Sequence, residues 1–290
     1  MHYVALSRAT KLSGLFITNL NEEAIKVDPK VQNTMEQLRE YYKLELCYRP
    51  VTYLEDEEHL NSTEINKIIE EQQYTIKILY QNVRSLPYHF QDIRVDTNYT
   101  SADILILAET RLIQSDNNNT FNLDDYIFYR NDQPCNTVQR PYHGMAIYIN
   151  SDLSITHVYN FSKPDFEAIL LNATKNTIDF QVLGIYKQPK TTYQQLKHYL
   201  QSLEPLLDKN LPLLITGDFN INVSDESPKI ISYMNNKFNC YQTTPQITTI
   251  RDTAIDLTFT NVAHCTTDTI FTPWTDHYLV YNHIPFEHTT

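Results

Sequence analysis

Five short polar islands stand at the ends of apolar runs in the second part of the sequence. Asn82 follows Leu79-Tyr80-Gln81, and Glu109 follows Leu105-Ile106-Leu107-Ala108. Asp218 and Asn220 close Leu213-Leu214-Ile215-Thr216-Gly217, Asp256 lies within Ala254-Ile255-Asp256-Leu257, and Asp276-His277 come just before Leu279-Val280. Acidic and amide side chains at strand ends can converge above a sheet. There, hard oxygen ligands suit Mg²⁺ and leave open positions for phosphate oxygens. Taken singly, each island has an ordinary reading. An Asn or Asp after a strand commonly closes a turn or caps a helix, Glu109 can face solvent, and His277 can be a hydrogen-bonded core histidine. Their order and spacing as a set point to one site.

Such a set needs a scaffold of strands, and the hydrophobic pattern from Tyr74 onward supplies one. Strands are predicted at 76–81, 103–108, 126–130, 144–150, 154–159, 167–173, 178–186, 212–216, 255–260 and 278–284. The clearest helix spans 192–209, opened by a capping box at Thr192 and Gln195 and carrying Leu196, Tyr199, Leu200, Leu203 and Leu207 on one face. Pro205 conflicts with that span, because it removes a helical hydrogen bond. Many strands with few helices between them predict packed sheets rather than a doubly wound parallel sheet. Upstream, residues 1–20 read as two short apolar runs around a turn at Ser13-Gly14. Residues 21–73 read as a polar linker with helical segments, too poor in apolar positions for a core of its own.

Composition sets further bounds. With 41% hydrophobic residues, the chain has material for a core, which excludes wholesale disorder. Four glycines against 21 tyrosines exclude collagen-like and Gly/Ser-rich classes. No apolar run approaches the ~18 residues of a membrane helix, and no secretory leader is read at the start. Cys47, Cys135, Cys240 and Cys265 are far apart with no C-x-x-C pair, which argues against a zinc site and for a reducing, intracellular compartment. The net charge of −12 is unlike that of most nucleic-acid binders. A nucleic-acid function therefore needs a cation at the site or a local basic stripe. Arg84, Arg111, Arg140, Lys187, Lys190 and Arg251, all near the polar islands, can form such a stripe.

The ordered set resembles the endonuclease/exonuclease/phosphatase superfamily, through Q-N-V-R-S-L at 81–86, A-D-I-L-I-L-A-E-T-R-L at 102–112, G-D-F-N at 217–220 and T-D-H at 275–277. Within it, the chain is most similar to endonucleases of non-LTR retrotransposons, relatives of apurinic-site endonucleases. The resemblance implies an α+β fold for 74–290, a four-layer α/β/β/α sandwich of the pancreatic-deoxyribonuclease type. It implies Mg²⁺-dependent cleavage of DNA, with Mn²⁺ as a substitute and no small-molecule cofactor or membrane partner. Glu109 would bind the metal with Asn82 beside it, and Asp276 would be a further metal-site carboxylate. Asp218 would orient or deprotonate the attacking water, Asn220 would hold the scissile phosphate, and His277, oriented by Asp256, would stabilise the pentacovalent phosphate. Tyr186, Arg84 and Arg111 would contact substrate. Arg84 stands where apurinic-site enzymes often carry an acidic residue, a departure that bears on apurinic-site activity.

Residues 2–17 resemble the last motif of PIF-type DNA helicases, in which Arg8 of Val4-Ala5-Leu6-Ser7-Arg8 would reach the ATP γ-phosphate. A G-x-x-x-x-G-K-[ST] loop is absent, so complete nucleotide binding is not expected. A helicase end (1–20) joined by a linker (21–73) to a nuclease resembles the arrangement in Helitron-like (Helentron) transposon proteins, which implies a nuclear location. Three rival readings stay open at this point. One is a helicase fragment with an inactive nuclease-like domain, another is a non-catalytic remnant, and the third keeps the fold but acts on a phospholipid or inositol phosphate.

Overall fold

A computed structural model describes residues 75–132, 141–223, 228–244 and 247–285. The helicase-like segment with Arg8, the linker at 21–73, Arg140, Cys47 and Cys135 lie outside the described residues.

Twelve strands among the described residues form two six-stranded sheets. They are β1 (Thr75–Asn82), β2 (Ile104–Ala108), β3 (Tyr126–Asn131), β4 (Met145–Asn150), β5 (Ser154–Lys163), β6 (Phe166–Lys175), β7 (Ile178–Lys187), β8 (Leu213–Asp218), β9 (Tyr241–Gln242), β10 (Asp256–Thr260), β11 (Thr266–Ile270) and β12 (Leu279–Pro285). The first sheet runs β11-β12-β1-β2-β4-β3 and the second β5-β6-β7-β8-β10-β9. Both follow one plan, with a single parallel pair at the centre, β1/β2 or β7/β8, and antiparallel neighbours elsewhere. A parallel pair needs a crossover. Helices α1 (Leu86–Val95) and α2 (Thr97–Thr100) provide it in the first sheet, and α3 (Tyr193–Leu203) in the second.

The strands read as nearly continuous apolar runs because both faces of each sheet are covered. On the inner faces, Ile76, Ile78, Tyr80, Ile104 and Ile106 pack with Ile169, Leu171, Val182 and Leu214 of the other sheet. Outside the first sheet, Leu86, Phe90 and Ile93 of α1 cover Leu79, Leu105 and Leu107. Outside the second, Leu196, Leu200 and Leu203 of α3, with Ile230, Met234 and Phe238 of α4 (Pro228–Phe238), cover Leu170, Leu183 and Ile215. Burying each such side chain contributes ~1.5–3 kcal/mol, so the two-sheet body has a core on every internal face.

Each predicted strand is present, with ends shifted by a few residues. The predicted helix at 192–209 is shorter. Its capping box forms, with the Gln195 N–H donating to Thr192 Oγ1 at 3.3 Å and the Thr192 N–H to Gln195 Oε1 at 2.9 Å. The α-helix then stops at Leu203, and Glu204–Leu206 tighten into a 3-10 turn around Pro205, which lacks the N–H that continuation requires. Helices α1, α2 and α4 and strands β9 and β11 are absent from the sequence-based expectations. The β11 sequence, Thr-Thr-Asp-Thr-Ile, lies at a sheet edge and shows no apolar alternation to read.

Candidate active site

In sheets of this kind, a crevice opens at the carboxyl ends of strands where chain direction switches. Here the two parallel pairs bring their carboxyl ends to one place. Asn82 ends β1, Glu109 follows β2, Tyr186 and Lys187 end β7, and Asp218 ends β8. Side-chain contacts tie these ends together. The Asn82 Nδ2 donates to Glu109 Oε1 at 2.9 Å and to Asp218 Oδ2 at 3.0 Å. The Tyr186 hydroxyl donates to the same Glu109 oxygen at 3.1 Å. Two antiparallel neighbours complete the set: Asp256 opens β10 and pairs in register with Asp218, while His277 precedes β12, the partner of β1.

Glycine at 217 is required for the position of Asp218. A Cβ there would lie 2.0 Å from the carbonyl oxygen of Ile185 on the paired strand β7, so only a bare backbone allows this approach. The Asp218 N–H then donates to the hydroxyl of fully buried Tyr80 at 2.8 Å, anchoring the aspartate from beneath. Beyond it, Asn220 turns back with φ of 47°. Its N–H donates to Asp218 Oδ1 at 2.9 Å, and its Nδ2 to the Lys187 carbonyl at 2.7 Å.

His277 is fixed on two sides. Its Nδ1 lies 3.0 and 2.9 Å from the two Asp256 oxygens, and its Nε2 lies 4.0 Å from Asp218 Oδ2. Its carbonyl accepts from Gln81 Nε2 and Thr272 Oγ1, each at 3.0 Å, while the Tyr99 hydroxyl donates to Gln81 Oε1. Asp256 is held in turn by its own N–H, which donates to Thr248 Oγ1 at 3.1 Å.

Burial and nearby charge raise both groups, with opposite consequences for their charge. Burial raises the Asp218 carboxyl, with the Asp256 charge adding to it and His277, Asn82 and Asn220 opposing, to a pKa of about 7. Burial would lower His277, but the charge and hydrogen bond of Asp256, helped by Asp218 and Asp276, prevail and raise it to about 9. At neutral pH the site thus holds a carboxyl able to exchange a proton and an imidazolium that keeps its own. Burial raises the Tyr80 and Tyr186 phenols, so both remain neutral donors and acceptors.

A cleft of about 590 Å³ opens over this set and is lined also by Arg84, Arg111, Tyr142, His143, Arg251 and Asp276. At its rim, Arg84 Nη2 and Asp276 Oδ2 pair at 2.6 Å. Of the predicted catalytic, metal and substrate residues among the described residues, Arg84, Glu109, Arg111, Tyr186, Asp218, Asn220, Asp276 and His277 line this cleft, and Asn82 and Asp256 lie behind it, bonded to Glu109, Asp218 and His277. Asp276 is engaged by Arg84 there. Asn82 turns its donor nitrogen toward the carboxylates and its oxygen toward the Arg84 N–H at 3.1 Å, the stance of a clamp. Tyr80, Gln81, Thr248 and Tyr142 were not singled out from sequence. Tyr80 is legible only as part of an apolar strand, Gln81 opens the Q-N-V-R-S-L motif without a role read for it, and Thr248 and Tyr142 lie in loops with no motif.

Asp218, Asp256 and His277 place ligand-type atoms within 4.8 Å of one another. Both Asp256 oxygens, however, face His277 Nδ1, which marks an acid–base pair. Glu109 is the better donor for a cation. It lines the cleft, only its Oε1 is hydrogen-bonded among the described residues, and Asp218 stands beside it through the shared Asn82. Carboxylate oxygens facing a wet cleft fit a hard divalent ion.

Residues 74–277 match the family described as "Endonuclease/Exonuclease/phosphatase family". No curated protein matches the chain in sequence. Among solved structures, the human Nocturnin catalytic domain is similar over 73% of this chain and 94% of its own, with a TM-score of 0.59 at 16% identity. The endonuclease domain of a telomere-specific non-LTR retrotransposon matches over 73% and 98%, with a TM-score of 0.54 at 12% identity. A mannosyl-6-phosphatase of Bacteroides thetaiotaomicron matches over 73% and 100%, with a TM-score of 0.55 at 14% identity. At such identities the likeness is one of fold.

Proposed function

The chain belongs to the endonuclease/exonuclease/phosphatase family, and on that premise we propose that it hydrolyses phosphodiester bonds of DNA, nicking one strand with the help of Mg²⁺ or Mn²⁺. The observation that carries this reading is the juxtaposition of Asp218 with His277, whose Nε2 lies 4.0 Å from the Asp218 carboxylate while Asp256 holds its Nδ1 at 2.9 Å. Hydrolysis of a phosphodiester builds negative charge on phosphoryl oxygens and on the leaving oxygen. His277 Nε2–H, aimed into the space beside Asp218, stabilises that charge. Asp218 takes the proton of the attacking water, a role suited to a group titrating near the working pH. Asn220 lines the same cleft and would hold the phosphate. Glu109, steadied by Asn82 and Tyr186, would hold the divalent ion. When bound, the ion polarises the phosphoryl oxygen and offsets its charge.

DNA is favoured over a smaller phosphoester by the rim of the cleft. Arg84, Arg111 and Arg251 line it beside Glu109, Asp218 and Asp276, so guanidinium donors for phosphate oxygens stand where a polyanion would lie although the chain's net charge is −12. A retrotransposon endonuclease shares the fold, but so does a sugar phosphatase, so the test includes both chemistries. Supercoiled plasmid should become nicked circles at millimolar Mg²⁺ and stay supercoiled in EDTA. Sugar and inositol phosphates should release no phosphate. Asp218→Asn should reduce nicking by about 10³-fold with an unchanged circular dichroism spectrum. Persistent supercoils with folded wild-type protein, or turnover of the small phosphates alone, would overturn the reading. We extend it to a transposon-derived nuclear protein only on the helicase-like residues 1–20.

A further inference from the structure

We propose that Tyr142, backed by Arg111, is a stacking platform for a nucleobase, so that the cleft takes a polynucleotide with an unpaired base beside the cleaved bond; this rests on the phosphodiesterase reading above. The loop after β2 and the loop before β4 are locked together. The Thr110 N–H donates to the Gly144 carbonyl at 3.0 Å, and the Arg111 N–H to the His143 carbonyl at 2.8 Å. The Gly144 N–H donates to Glu167 Oε2 at 2.9 Å, a carboxylate only 1% exposed. Gly144 has φ of 102°, and a Cβ on it would lie 2.6 Å from Thr110 Oγ1. Glu109 and Arg111 have φ of 50° and 55°, a region that residues with side chains enter rarely. Such backbone persists only where its surroundings over-determine it, as functional sites do.

The lock fixes the backbone that carries Glu109 and, two residues on, Arg111, whose guanidinium lies 4.6 Å from the centre of the Tyr142 ring. Tyr142 lines the same cleft as Glu109, Asp218 and His277 yet remains 64% exposed. It contributes to none of the hydrophobic clusters of the core. An aromatic ring with a cation on one face, open in a cleft that holds the candidate phosphoester site, matches a flat π-system next to a phosphate. Every nucleobase offers such a face, and stacking on it is tolerant of sequence. The arginine adds a charge that favours the electron-rich ring. A base inside a duplex has both faces occupied by its neighbours, so only a single-stranded or extruded base can use the platform.

The test compares two short single strands of equal length, one of thymidines and one whose sugars carry no base. Binding is read by fluorescence anisotropy and cleavage by gel. Wild-type protein should bind and cleave the thymidine strand more efficiently. Tyr142→Ala should lose about tenfold in kcat/KM and in affinity on that strand and nothing on the baseless one, while Tyr142→Trp should keep the preference. A thymidine preference unchanged in Tyr142→Ala would overturn the platform. A Tyr142-dependent difference in binding without cleavage of either strand would uphold the platform and overturn the phosphodiesterase reading instead.

Discussion

Two carboxylate–cation pairs meet through adjacent residues, Asp276 and His277, and they live in different solvents. Asp256 and His277 meet at 2.9 Å and are 1% and 4% exposed, whereas Asp276 and Arg84 meet at 2.6 Å with side chains 24% and 46% exposed. The shorter contact is not the more consequential one. At the rim, water and salt screen the pair, and exposed ion pairs contribute ~0–1 kcal/mol. In the buried wall, low polarisability makes each charge felt by its neighbours. That is why Asp218 and His277 depart so far from their ordinary titration, in directions that leave one able to accept a proton and the other holding its own. One wall is thus suited to moving protons and the other to gripping an ion and a polyanion.

This division can be broken most severely at the backbone contact that builds the buried wall. Gly217→Ala places a methyl group against the Ile185 carbonyl, and a loss of at least about 4 kcal/mol is expected, read as failure to fold or as a large fall in the denaturant midpoint. Glu109→Gln keeps the shape of the open wall but removes the cleft-facing charge. Nicking should fall by about 10²-fold at fixed Mg²⁺ and recover in part as Mg²⁺ is raised, since the missing charge weakens the ion rather than the proton chemistry.

Asp256→Asn probes the buried wall by pH. For the wild type, activity should rise through about pH 7 as Asp218 loses its proton and fall through about pH 9 as His277 loses its own. Removing the Asp256 charge withdraws the main influence raising His277, so the falling limb should move to lower pH. The rising limb should move down as well, because Asp256 also raises Asp218. An alkaline limb that stays in place would mean that Asp256 does not control the imidazole. Arg84→Gln should do least: a change of a few-fold in KM for DNA, shrinking as salt is added, with kcat and the pH profile unchanged. A large kcat effect there would erase the distinction between the walls.

The strands, the capped helix at Thr192 and the seven polar positions from Asn82 to His277 could be read from the amino-acid string, because each depends on neighbours a few residues away or on a short motif. Alternating and continuous apolar runs place Asp218 and Asn82 at strand ends whatever the rest of the chain does. Helix α1 was as local, with Leu86, Phe90 and Ile93 at helical spacing behind Pro87, but its polar texture hid it beside stronger strands. What no local reading could reach are the pairings across great separations. Asn82 bridges Glu109 and Asp218, Arg84 reaches Asp276 192 residues away, Tyr80 sits under Asp218, and Arg111 covers Tyr142. Those depend on how two sheets stack and how their loops lock. The burial that raises Asp218, and the closeness of Asp256 that raises His277, exist only once that packing has removed the water.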